Sequence, residues 1–160
     1  MIKKAKDLVY LCLKNNITVS VAESCTGGML SSSIISIPKS SAVFQYGLVT
    51  YSNYSKNKFL NIPNSILLKH GAVSKETAEL MVINLLKLSS THFSAAITGI
   101  AGPSGGTNIK PVGLVYHSFL YIGKKPIIIK KIYKGNRNSI RKSATIFCLE
   151  KSFSVINSFV

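Results

Sequence analysis

Apolar positions near the start of the chain fall at Ile2, Ala5, Val9 and Cys12, the three-to-four spacing of an amphipathic helix. Ile17 to Ala22 then alternates β-branched and small residues and predicts a strand. A helix is expected through Met29, Leu30, Ile34 and Ile35, with Thr26 or a neighbour able to cap it and Pro38 closing it. Gln45 to Ser52 predicts a second strand, Asn53 to Leu60 a helical turn or short helix, and Pro63 to His70 another short helix stopped by Gly71. Ser74-Lys75-Glu76-Thr77 opens a longer helix whose stripe of Ala78, Met81, Val82 and Leu85 runs up to Leu88. Phe93 to Thr98 is a short apolar strand, and Gly99 to Pro111 is too rich in glycine to be a regular element. Val112 to Ile122 and Pro126 to Tyr133 read as an antiparallel hairpin turning at Gly123-Lys124-Lys125, after which Asn136 caps a helix carrying Ile140, Ala144, Phe147 and Cys148 on one side. Helices and strands mix throughout, which predicts a layered α/β domain, and the hairpin argues against a wholly parallel sheet.

Composition adds bounds. The 160 residues are 46% hydrophobic and no Pro/Gly/Ser-rich linker divides them, so one domain over 1–160 is expected. Leu8 to Leu13 is too short for a signal-peptide core, and no apolar run is long enough to span a bilayer. The expectation is a soluble, cytoplasmic protein with no membrane partner. Cys12, Cys25 and Cys148 are odd in number and far apart, which favours neither disulfides nor a zinc site. Cys12 and Cys148 read as small core residues, and Cys25 as a buried thiol or a nucleophile.

The formal charge of +15 invites a nucleic-acid reading. Eighteen of the twenty basic residues are lysines scattered from Lys3 to Lys151, and no aromatic-studded basic motif accompanies them, so nucleic acid is disfavoured as a partner. The scarcity of acids excludes more. Only Asp7, Glu23, Glu76, Glu79 and Glu150 are present, too few for an obvious carboxylate pair or an oxygen-rich metal cage. His70, His92 and His117 are isolated, and a serine-histidine-aspartate triad would need the single aspartate, Asp7, or a glutamate in its place.

Candidate chemistry centres on Ala22-Glu23-Ser24-Cys25-Thr26-Gly27-Gly28, where a predicted strand ends, a serine follows and two glycines open a helix. Free N–H groups at such a helix start can receive a phosphate or a developing oxyanion, and Gly27 and Gly28 would let a ligand approach the backbone. The same spacing also fits a capped turn with no ligand. A serine nucleophile needs a base, and without a histidine-carboxylate pair a lysine neutralised by burial or nearby charge is the remaining common choice. Lys56, just beyond the end of the second strand, is attractive by position, though a lysine in such a loop is also commonly plain solvated surface. Arg137 and Arg141, spaced i and i+4, can face the same way and hold a phosphate or carboxylate, or simply lie exposed. Neither glycine cluster fits the dinucleotide or phosphate-loop fingerprints.

Together these residues resemble the CinA C-terminal domain family, whose stand-alone members are nicotinamide-nucleotide amidohydrolases. The resemblance rests on Ala22 to Gly28, Val49-Thr50-Tyr51-Ser52-Asn53 with Lys56, His70-Gly71-Ala72-Val73-Ser74, Gly99-Ile100-Ala101-Gly102-Pro103, Gly105-Gly106 and Lys110-Pro111-Val112-Gly113, nearly the whole chain in family order. It implies a three-layer α/β/α sandwich with a mixed sheet, and hydrolysis of the carboxamide of nicotinamide mononucleotide to nicotinic acid mononucleotide and ammonia, with no cofactor and no metal. It also implies Ser24 as nucleophile, Lys56 as base and Tyr51 as an assistant in proton transfer. Backbone N–H groups around Cys25, Thr26, Gly27 and Gly28 would stabilise the oxyanion, while Thr98, Gly99, Gly102, Gly105, Gly106, Arg137 and Arg141 would bind ribose and phosphate. Two departures stand out. Ser104 replaces an aspartate of many relatives, and Asn136 stands in a Gly-Asp-Arg-like position, so a nucleotide-binding or regulatory module with little turnover is the alternative. Longer members add an N-terminal domain related to molybdopterin-binding proteins, whose functions are not expected here. A homodimer is compatible with all of this.

Overall fold

The computed structural model describes residues 1–160. Its elements are α1 (Ile2–Lys14), β1 (Val19–Glu23), α2 (Met29–Ile35), a 3-10 turn at Ser40–Ala42, β2 (Phe44–Val49), α3 (Asn53–Leu60), α4 (Asn64–His70), α5 (Lys75–Ser89), β3 (Phe93–Gly99), β4 (Leu114–Tyr121), β5 (Ile127–Ile132) and α6 (Arg137–Asn157). Three helix starts follow from short polar side chains. Ser52 accepts the N–H of Ser55, Ser74 that of Thr77, and Asn136 that of Ser139.

The five strands lie in the order β2-β1-β3-β4-β5. β1 runs parallel to both β2 and β3, whereas β4 and β5 are antiparallel, so the sheet is mixed. Strand alternation sends Val19, Val21, Phe93, Ala95, Ile97, Val115 and Phe119 into one apolar core, shared with α1, α2 and α6. Ala22, Ala96 and Leu120 face the opposite way, into a smaller core built with α3, α4 and α5. On that second face Ser94 Oγ donates to Val82 O at 2.9 Å and Ser118 Oγ to Ala78 O at 2.6 Å. Small residues let α5 lie close to the sheet, and their hydroxyls are satisfied on its carbonyls. Helices on both faces of one mixed sheet make the three-layer α/β/α sandwich.

The observed elements shift some expected boundaries. β1 begins at Val19, later than Ile17, and runs on to Glu23, because Glu23 still pairs with Val49 on one side and Ile97 on the other. β2 ends at Val49, short of Ser52, because Ser52 is the N-cap of α3. Thr26 does not cap α2; that position belongs to Gly28, whose φ of 92° is open to glycine at little steric cost. β4 starts after Gly113, which has φ 92° and lies tight against the Tyr133 backbone: its N–H donates to Ile100 O at 2.7 Å and its carbonyl accepts from Tyr133 N at 2.9 Å. A Cβ there would collide with the Tyr133 carbonyl. Gly113→Ala is therefore expected to destabilise the fold by roughly 3 kcal/mol or more, read as a drop in urea midpoint at unchanged slope. No helix is long and apolar enough to cross a membrane.

Candidate active site

The strand order reverses direction at β1: the chain goes out to β2 on one side and returns to β3 on the other, and ligand crevices in α/β sheets form at the carboxyl ends of strands at such a switch point. Ser24 is the first residue beyond β1. Its N–H donates to Ile97 O at 2.9 Å, while the preceding carbonyl, Glu23 O, accepts from Thr50 N at 2.8 Å. The serine is thus held between the ends of all three parallel strands, and it is 7% exposed.

Lys56 reaches it from α3. Ser52 and Ser55 close a capping box at the start of that helix, and Lys56 sits in its first turn. Its side chain turns inward and is completely buried. Nζ lies 2.9 Å from Ser24 Oγ and donates to Thr50 O at 2.7 Å. No carboxylate pairs with it. Burial is the main cause that pulls its pKa down from 10.5 to about 8, with the nearby Cys25 thiol pushing weakly the other way. A neutral amine can donate one N–H to Thr50 O and offer its lone pair to the Ser24 hydroxyl. That is the geometry of an activated serine.

Only part of the expected helix-start anion site is available. Gly27 N donates to Ser24 O at 3.1 Å, and the N–H groups of Gly28 and Leu30 both donate to Glu23 Oε2 at 3.0 Å, with Ser31 N on Glu23 Oε1 at 2.8 Å. A fully buried carboxylate therefore occupies the start of α2, so of the readings the sequence left open this end is a capped turn. The Cys25 and Thr26 amides donate to no protein acceptor and are the unpaired loop donors beside Ser24, with Thr26 fully buried. Cys25 itself is 5% exposed, and burial raises its thiol to about 11, against a nucleophilic role.

The two arginines do share a face at the start of α6. Arg141 Nη2 donates to Thr26 O at 2.7 Å, tying α6 to the serine loop. Arg137 Nη1 donates to Gly102 O at 2.7 Å and Nη2 to Tyr51 Oη at 3.0 Å, yet its side chain stays exposed with N–H groups to spare. Arg141 is the more committed of the two, with its Nε buried and unpartnered. Tyr51 is exposed and its hydroxyl bonds to Arg137, with no hydrogen bond to Ser24 or Lys56.

Thr98 is not a free ligand donor: it is buried and its hydroxyl donates to Ala72 O at 2.8 Å. A Cβ at Gly99 would strike Leu114 and Val115 of β4, and one at Gly102 or Gly106 would strike Val112 just before it, so close packing accounts for these glycines. Gly105 alone of the four would place a Cβ without a clash, 3.9 Å from Ile100 Cγ2, and its φ of 86° is what calls for glycine there. Asn136 caps α6 through Oδ1, a role an aspartate would fill equally, so that departure leaves the local structure unchanged. The histidines stay apart from the serine: His92 bonds to Thr18, His70 lies 3.7 Å from Glu76, and His117 is buried against Tyr133 with burial lowering its pKa to about 3. Surface clefts occur elsewhere, as between Lys4, Asp7, Glu150, Phe153 and Ser154, and none is lined by Ser24 or Lys56. No serine in those clefts is hydrogen-bonded to a lysine, so the buried Ser24-Lys56 pair, rather than concavity, marks the candidate site.

Sequence reasoning missed the use of Glu23. A legible signal existed: the glycine preceding α2 has no side chain to cap it, and Glu23 is the one acidic residue near enough to receive the orphan N–H groups.

The same architecture occurs in solved proteins. A competence/damage inducible protein CihA from Agrobacterium tumefaciens superposes with a TM-score of 0.94 at 35% identity, over 98% of this chain and 94% of that one. A competence damage-inducible protein A from Klebsiella pneumoniae shares the fold at a TM-score of 0.95 and 23% identity, over 99% and 98% of the two chains. Among curated sequences, a CinA-like protein of Petrotoga mobilis is 46% identical over 140 residues, 88% of this chain and 34% of the relative. A CinA-like protein of Kosmotoga olearia is 46% identical over 143 residues, 89% and 34%. The chain spans about a third of the length of these curated relatives. Residues 2–156 match the CinA C-terminal domain, and the chain belongs to that family.

Proposed function

We propose that this chain is an amidohydrolase that converts nicotinamide mononucleotide to nicotinic acid mononucleotide and ammonia through a serine-lysine dyad. The observation that carries the proposal is the buried Lys56 amine 2.9 Å from Ser24 Oγ, with burial lowering its pKa to about 8. In the free-base form Lys56 takes the Ser24 proton as Oγ attacks the carboxamide carbon. The tetrahedral oxyanion falls to the Cys25 and Thr26 amides. Lys56 then returns its proton to the amide nitrogen, ammonia leaves, and an ester joins Ser24 to the nicotinoyl group. Water deprotonated by Lys56 attacks that ester, the acid departs, and Ser24 recovers its proton from Lys56.

Charge supports an anionic substrate. With a net +15 the surface attracts a nucleotide phosphate over long range, and the spare N–H groups of Arg137 offer a local anchor. Tyr51 is assigned to holding that guanidinium rather than to direct proton transfer, since its hydroxyl bonds to Arg137 and to neither Ser24 nor Lys56.

The test is ammonia release from nicotinamide mononucleotide across pH 6–10. Because Lys56 must be neutral to act, kcat/KM is expected to rise with pH and reach half its plateau near pH 8, where the lowered amine titrates. A flat profile would remove Lys56 as the base. Saturable binding by calorimetry without ammonia release would instead mark a binding module.

A further inference from the structure

Glu23 is the last residue of β1, immediately before the serine, and its side chain is completely buried. No lysine or arginine pairs with it. Its charge is met by four donors from the far side of the loop: Gly28 N and Leu30 N on Oε2 at 3.0 Å each, and Ser31 N at 2.8 Å and Ser31 Oγ at 2.7 Å on Oε1. A carboxylate that receives several N–H bonds is a strong, directional tie. The backbone of the same residue is anchored too, since Glu23 O accepts from Thr50 N.

The loop between these two ends holds the proposed nucleophile and the unpaired amides, while the base, Lys56, comes from α3. Ser24 carries the nucleophile and Cys25 and Thr26 carry the free amides. Gly27 and Gly28, at φ 59° and 92°, bend the chain back onto the carboxylate. One side chain thus sets the span from residue 23 to residue 28, and with it the direction of the two amides relative to Ser24 Oγ. It also occupies the donors at the start of α2 that would otherwise compete for the anionic part of a substrate.

We propose that Glu23 is a positioning residue for this site: by clamping Gly28, Leu30 and Ser31 it holds Ser24 and the Cys25 and Thr26 amides in reacting geometry. The proposal rests on the reading of Ser24 as nucleophile. It is an effect on turnover, not on substrate binding, because both Glu23 carboxylate oxygens are taken by Gly28, Leu30 and Ser31.

Glu23→Gln keeps the shape but turns an NH2 toward backbone donors. Misplacement of reacting groups by an ångström or less costs up to about 100-fold. Glu23→Gln is expected to lower kcat between roughly 10- and 100-fold with KM within about twofold and the pH midpoint still near 8, since Lys56 is untouched. A second readout needs no nucleotide. Ser24 reacts with a fluorophosphonate by forming an O–P bond and expelling fluoride, and mass spectrometry of the Ser24 peptide gives the rate. That rate is expected to fall in parallel with kcat. Ser31→Ala removes only the 2.7 Å hydroxyl bond and should lower both rates by a smaller, measurable factor while the fold stays intact, as followed by circular dichroism.

Unchanged kcat and labelling in Glu23→Gln, or a raised KM at constant kcat, overturns the proposal. If Glu23→Gln does not fold, rates in Ser31→Ala equal to wild type overturn it. A wild type that labels but releases no ammonia sinks the substrate reading alone and leaves Glu23 judged by labelling. A wild type that does neither removes the serine nucleophile, and this proposal with it.

Discussion

Ser24→Ala abolishes ammonia release from nicotinamide mononucleotide if the serine forms the acyl intermediate: kcat should drop by on the order of 10^4-fold or more, with KM little changed. The size follows from what the residue does. Loss of the nucleophile removes the covalent route altogether, and the Cys25 and Thr26 amides alone cannot replace it. The structural cost should be small, because Ser24 is held by its backbone N–H on Ile97 O, which alanine retains. Steady-state assay and intact-protein mass spectrometry on quenched reactions check both halves. A nicotinoyl adduct trapped on wild type and missing in Ser24→Ala supports the scheme. Retention of more than a few per cent of activity in the variant would exclude it.

Lys56→Met has the second largest expected effect, and it acts in two directions. Removal of the base should lower kcat by about 10^2- to 10^4-fold. Stability should move the other way at neutral pH. The unfolded chain binds the Lys56 proton up to pH 10.5 and the native chain only up to about 8, so below pH 8 the native state carries the full penalty of a desolvated ammonium. That penalty is about 3 kcal/mol and fades as pH rises from 8 to 10.5. Methionine fills similar volume without a charge but leaves Thr50 O without its donor, a loss of about 1 kcal/mol. A net gain of about 2 kcal/mol, a few degrees in Tm, is expected at pH 7, and it should turn into a net loss of up to about 1 kcal/mol at pH 10.5 and above, where only the missing Thr50 O partner counts. Urea titrations at pH 7, 9 and 10.5 measure it. A variant less stable than wild type at pH 7, by an amount that does not change up to pH 10.5, would mean that Lys56 is not held at a lowered pKa.

These two residues also show how far the sequence carries. Local signals placed most elements within a few residues. Ser74 and Asn136 precede helices they cap, the Ala78, Met81, Val82 and Leu85 stripe is the buried face of α5, and Gly123 turns the β4-β5 hairpin. Such signals are short-range chemistry, since a cap or a helical stripe involves residues within a few positions of each other. The family motifs put Ser24 and Lys56 forward as a pair, 32 positions apart.

Only the tertiary structure decided what each polar group touches. Arg141 spends its donor on Thr26 O and Thr98 its hydroxyl on Ala72 O, contacts 115 and 26 positions apart that no local pattern encodes. The α2 start, which by spacing fits an anion site or a capped turn equally, is filled by Glu23, an acidic side chain that the end of β1 carries to it. Burial is equally non-local. Lysine count and charge say nothing of which of eighteen amines is fully excluded from water, and that exclusion alone lowers the pKa of Lys56 toward a working base. By itself the sequence determined the layered α/β fold, the family and the residue types at the site. The packing of α3 on α4 and α5, with Lys56 reaching Thr50 and Ser24 just beyond β2 and β1, decided that one lysine loses its water beside one serine, since desolvation is a property of the assembled interior and of no segment within it.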